Sequence, residues 1–124
     1  MITIQGRVWR KGSGDFTKRM TDFPEVFFRA TGEKLFTGTL NVEIERPLEV
    51  NEHFRIPDVM DAEQDLLFEV CRVGKIWAYR IRPRNRNTGT GGHGDHIIEL
   101  TSSQEIPCAR EGDPIEISFF RDFD

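Results

Sequence analysis

Alternation with a period of two is the feature that most limits what this chain can fold into. From residue 39 to residue 45, Leu40, Val42 and Ile44 interleave with Thr39, Asn41, Glu43 and Glu45. An extended strand sends such apolar residues to one face and the polar ones to the other. Ile2, Ile4, Gly6 and Val8 alternate in the same way with Thr3, Gln5, Arg7 and Trp9, as do Ile115, Ile117 and Phe119 with Glu116, Ser118 and Phe120. In residues 75–82, Trp77, Tyr79 and Ile81 share one face, while Ala78, Arg80 and Arg82 share the other. Residues 66–73 and Ile97-Ile98-Glu99-Leu100 are further extended runs, with Glu99 bracketed by apolar neighbours that leave it partly buried beside a specific partner. Gly74 alone separates residues 66–73 from 75–82, which reads as a hairpin or as one long strand bulged at the glycine.

One helix is expected, over residues 22–31. Thr21 or Asp22 can cap it, Pro24 suits its first turn and Gly32 stops it. Phe23, Val26, Phe27 and Ala30 fall at helical spacing and form its core-facing side. Short extended pieces are expected at 48–50 and 53–56, a helical turn can start at Ser102, and Glu111-Gly112-Asp113-Pro114 is a turn. With 124 residues the chain is one domain, 1–124. About six strands, one helix and several Gly/Pro turns give a mainly β fold, a six-stranded barrel with one inserted helix. Ten Phe are a large aromatic supply for this size and must fill most of the core.

The balance of 17 basic against 21 acidic residues leaves a net charge of −4, which argues against a dedicated nucleic-acid binder. Cys71 and Cys108 have no zinc-like or disulfide-framework spacing, so reduced thiols in a cytoplasmic protein are expected. Residues 1–6 do not resemble a signal peptide, and no apolar run approaches membrane-spanning length. A monomer is the expectation.

Several polar features could carry chemistry. Asn is disfavoured in strands, yet Thr39 and Asn41 sit side by side on one strand face. Their two neutral oxygens lie about one pleat apart, within reach of a hard cation or a phosphate-bound metal, though the pair also suits a solvated face. The stretch Arg10-Lys11-Gly12-Ser13-Gly14-Asp15-Phe16 is a flexible turn that exposes backbone N–H groups; it can cradle a phosphate or simply join two elements. Arg80, Arg82, Arg84 and Arg86 form either an anion-binding stripe or a charged, solvated edge. Residues 87–96 hold four glycines and suit a loop that closes over a ligand; His93, Asp95 and His96 lie in it without a second ligand cluster.

The order of these features resembles that of the archaeal-type CTP-dependent riboflavin kinases. The correspondence runs through Ile2–Trp9, Gly12-Ser13-Gly14, residues 22–32, Gly38-Thr39-Leu40-Asn41-Val42, Arg82-Pro83, Thr88/Thr90, Ile97-Ile98-Glu99 and Gly112-Asp113. It covers nearly the whole chain, and Gly-Thr-Leu-Asn-Val is its most specific element. The resemblance implies a cradle-loop β-barrel that transfers the γ-phosphate of CTP to riboflavin, giving FMN with Mg²⁺. It implies that Thr39 and Asn41 hold the metal and that Gly12, Ser13, Gly14, Asp15 and Phe16 wrap the nucleotide phosphates. It further implies that Glu99 and one of Thr88 or Thr90 contact the flavin, with Glu99 the nearest candidate for general base. The family's Ala-Pro and Leu-Arg pairs are not matched, since the chain reads Leu100-Thr101-Ser102-Ser103-Gln104-Glu105-Ile106-Pro107 and Arg110 follows several positions later. That departure keeps open a non-catalytic nucleotide- or flavin-binding module on the same barrel.

Overall fold

The computed structural model describes residues 1–12, 15–36, 39–57, 65–84, 95–106 and 110–121. Among these residues the elements run β1 (Ile2–Gly12), α1 (Asp15–Asp22), α2 (Pro24–Thr31), β2 (Thr39–Ile44), β3 (Phe54–Ile56), β4 (Leu66–Val73), β5 (Ile76–Pro83), β6 (Ile97–Ser102) and β7 (Pro114–Phe119). The strands join in the order β3-β4-β5-β6-β2-β1-β7, and β7 returns to pair with β4. That last pairing, Cys71 with Phe119 and Val73 with Ile117, closes a six-stranded antiparallel barrel and leaves β3 outside it. Closure removes the open edges that a flat sheet would present.

The period-two pattern accounts for the interior. Val8, Leu40, Val42, Ile44, Cys71, Ala78, Ile98, Leu100, Ile115, Ile117 and Phe119 form one buried cluster, drawn from all six barrel strands. Gly74 sits at φ 62° between β4 and β5, a left-handed turn that glycine adopts without strain, so this pair is a hairpin. Gly6 has a different reason to be small. A Cβ there would lie 2.6 Å from Val42 Cγ1 and 2.8 Å from the Glu43 carbonyl oxygen.

A second cluster lies on the outer face of β4 and β5. Met20 of α1 and Phe27 of α2 pack there with Leu66, Phe68, Tyr79 and Ile81. Phe27 meets Phe68 edge-on at 6.3 Å between ring centroids, and Phe54 of β3 stacks on Phe68 at 4.8 Å.

Several expectations change. The helical region is two helices rather than one, because α1 occupies residues read as part of a phosphate loop. Among the residues whose burial is described, Met20 is its contribution to the core cluster. In α2 the N-cap is Phe23, with no side-chain cap bond, rather than Thr21 or Asp22. Of its expected core face only Phe27 is buried, while Phe23 and Val26 are exposed. Phe28, Phe36 and Phe120 are exposed as well, so a large share of the aromatic supply is not core. Residues 48–50 form no strand, and Ser102 ends β6 and leads into a bend rather than a helical turn. No helix among the described residues is long and apolar enough to cross a membrane.

Gly6→Ala is expected to lower unfolding stability by roughly 1–3 kcal/mol, the usual cost of forcing atoms into a packed interior. Urea denaturation checks this, and an unchanged midpoint would contradict the close β1–β2 approach.

Candidate active site on the β2–β6 face

Both faces of β2 are covered over its first four residues, while Glu43 beyond them is exposed. Leu40, Val42 and Ile44 point into the barrel, yet Thr39 and Asn41 on the opposite face are only 7% and 5% exposed. The expected alternative of a solvated face for this pair is therefore excluded. Antiparallel pairing sets Asn41 opposite Glu99 of β6, and the Thr39 hydroxyl donates to Glu99 Oε2 at 2.9 Å. Glu99 is thus partly buried beside a specific partner. Three oxygen-bearing side chains from two strands are gathered on one patch.

A β-bulge brings a third strand to the same place. Pairing between β1 and β2 shifts from Val8↔Val42 to Arg10↔Asn41, which leaves Trp9 as the extra residue. An added residue exchanges the faces of the strand beyond it. As a result Gly12 pairs with Thr39. Gly12 is accordingly strand rather than loop, and Asp15 and Phe16 open α1 rather than continue a flexible turn. Ser13 and Gly14 lie outside the described residues, as do Thr88, Thr90, Arg86, His93 and Gly38.

The donor set is one of hard oxygens: a hydroxyl, an amide carbonyl and one carboxylate. No group of three or more His, Cys, Asp or Glu suited to a metal occurs among the described residues. Mg²⁺ takes oxygen ligands and commonly completes its shell with water and substrate phosphates. Thr39 and Asn41 therefore fit a cation that arrives with a phosphate chain, not one caged by protein alone.

The arginine stripe turns out to serve the interior. Arg80 stands opposite Leu100 on the face of Ala78, with 0% exposure, and Arg82 is also buried. Asp95, from the expected ligand-closing loop, is buried against them. Its Oδ1 lies 3.1 Å from Arg82 Nε and 3.7 Å from Arg80 Nη2. None of the three guanidinium nitrogens of Arg80 makes a hydrogen bond among the described residues, so these contacts act through charge. Burial lowers the Arg80 pKa to about 10, against the support of Glu69 and Asp95. The solvated-edge reading fails for Arg80 and Arg82, and the metal reading fails for Asp95; Arg84 and His96 remain exposed.

Two buried carboxylates or phenols were not singled out by sequence. Glu69, fully buried in β4, accepts hydrogen bonds from Arg121 and from the Asn51 backbone N–H at 2.9 Å. A lone acid between Phe68 and Val70 was the available signal. Tyr79 donates to Glu33 Oε2 at 2.7 Å, and the Phe36 N–H donates to the Ser102 carbonyl at 2.8 Å. Together these bonds tie the 33–36 segment to the barrel just ahead of Thr39.

Compared with known proteins, the chain matches no protein-family model and no curated protein.

Removing the Asp95 carboxylate takes a buried counter-charge away from two buried guanidiniums. Asp95→Ala is expected to cost roughly 3–5 kcal/mol in denaturant unfolding, the range for breaking a buried pair on one side. A loss below about 1 kcal/mol would rule out this role. Alkaline pH gives a second check. Burial, then the charge of Glu69, pushes the Cys71 thiol up to about 12, and burial with the Glu33 bond raises Tyr79. Both groups hold their protons longer in the folded state, so their stabilisation is complete below the unfolded thiol pKa of about 8.5 and is lost as pH climbs towards 12. Arg80 acts with the opposite sign, and its penalty relaxes above about 10. Unfolding free energy should fall from about pH 9 upwards, with a shallower initial fall in Cys71→Val. Equal slopes in the two proteins would exclude the thiol as a cause.

Proposed function

We propose that the protein is a CTP-dependent riboflavin-kinase-like phosphotransferase, which makes FMN from riboflavin with Mg²⁺. One observation carries the reading: Thr39, Asn41 and Glu99 share a face, with Gly12 paired to Thr39 at its border. Phosphoryl transfer asks a protein mainly for positioning and charge neutralisation, which suits so small a set of groups. Mg²⁺ bound with the nucleotide supplies neutralisation of the phosphate oxygens, and Thr39 and Asn41 are the residues to hold it.

In this reading the 5′-hydroxyl oxygen of the acceptor forms a bond to the γ-phosphorus as the bond to the β,γ-bridging oxygen breaks, and CDP leaves. Glu99 accepts the hydroxyl proton. The hydrogen bond from Thr39 fixes the Glu99 carboxyl group for that task. The Gly12 backbone, at the end of β1, borders the phosphate side.

A binding module without turnover is the alternative reading. Such a module would draw on Arg80, Arg82, Arg84 and Arg86 to hold an anion, and burial of Arg80 and Arg82 weakens that support. Incubation with riboflavin, Mg²⁺ and each nucleoside triphosphate in turn separates the two readings. FMN is expected with CTP; no FMN with any donor would overturn the kinase reading, and binding without turnover would favour the module. Glu99→Gln is expected to lower kcat by about 10²–10⁴ with nucleotide binding retained. Asn41→Ala should abolish metal-dependent nucleotide binding in a folded protein. Unchanged binding by calorimetry would remove the metal role from Asn41.

A further inference from the structure

Between α1, α2 and the 33–36 segment lies a cleft of about 440 Å³, whose lining includes Met20, Phe27, Phe28, Lys34 and Leu35. Its size is that of a small-molecule site. Its chemistry is mixed in a definite way. Phe27 and Leu35 belong to the packed wall, whereas Phe28 leaves 54% of its surface exposed. A half-exposed aromatic ring beside buried apolar residues is a surface that a flat ring can cover.

Charge narrows the ligand further. Two cations, Arg29 and Lys34, line the cleft with one carboxylate, Glu25, and no ion pair joins them among the described residues. Counted over its described lining residues, the cleft is therefore positive by one charge on a chain whose net charge is −4. Apolar walls with a cationic rim suit an amphiphile with an anionic end.

We propose that this cleft binds a small planar aromatic anion, its ring against Phe28 and its charged group towards Lys34 and Arg29. The site is separate from Thr39, Asn41 and Glu99, so it stands or falls independently of the phosphotransfer reading.

The test uses 8-anilinonaphthalene-1-sulfonate as probe, with N-phenyl-1-naphthylamine as its uncharged counterpart. Titration of the native protein, followed by fluorescence, should give saturable binding of one sulfonate probe per chain. The uncharged probe should bind about threefold to tenfold more weakly, and Lys34→Glu should erase that preference. Phe28→Asp should weaken the sulfonate probe at least about tenfold. Phe28 is exposed, so the variant is expected to keep a cooperative unfolding transition; Lys34→Glu supplies the test should it not. The proposal is overturned by non-saturable binding, by equal affinity for the two probes, or by binding indifferent to both substitutions. It is likewise overturned if size-exclusion shows a dimer that Phe28→Asp converts to monomer, since a second copy would then be the occupant.

Discussion

The pairing of β7 with β4 is the constraint on which the rest of the structure depends. Without it the chain would be an open sheet with two edges and one unsealed apolar face. With it, the alternating residues of six strands enclose a common interior, with Val42, Cys71, Ala78, Ile98, Leu100, Ile117 and Phe119 at the limit of burial. A barrel of this strand number has an interior that side chains can fill. Gly6 shows how tightly: β1 and β2 approach so closely that there is no room for a methyl group.

Closure also creates an electrostatic problem. Glu69, Arg80, Arg82 and Asp95 belong to the same strands or their approaches and cannot escape to solvent. They are tolerated as mutual partners, Glu69 with Arg121 and Asp95 with the two arginines. Lost hydration makes such pairs poor sources of net stability, but each member is costly to remove alone. Their structural effect is local. Asp95 is held at the foot of β6, where its carbonyl and that of His96 receive the Leu48 and Ile44 N–H groups. The start of β6, and with it the register that sets Glu99 opposite Asn41, is pinned from inside the barrel.

The candidate site is a by-product of two geometric devices. Register between β2 and β6 joins Asn41 to Glu99, and the bulge at Trp9 turns the end of β1 so that Gly12 faces Thr39. Neither device involves the side chains that would do chemistry. A barrel with the same core and no bulge would carry Thr39 and Asn41 on its wall without the Gly12 border. The helices contribute differently, sealing the β4–β5 face with Met20 and Phe27 and leaving Phe28 to form a cleft beside Lys34.

The alternating pattern by itself located most of the strands and set the mainly β class, and the count of strands and turn residues pointed to a barrel, whose closure rests on β7 meeting β4. It also marked Asn41, an unfavourable residue in a strand, with Thr39 beside it, and Glu99, an acid bracketed by apolar neighbours. What it could not assign was the surroundings of each face. Arg80 and Arg82 obey the same alternation whether their face meets water or a barrel interior, and only closure decided for the interior. The phenylalanines of α2 satisfy helical spacing whichever side packs, and only the position of β4 and β5 chose Phe27 over Phe23. Local sequence sets periodicity; burial is a property of what lies opposite, and that comes from residues distant in the chain.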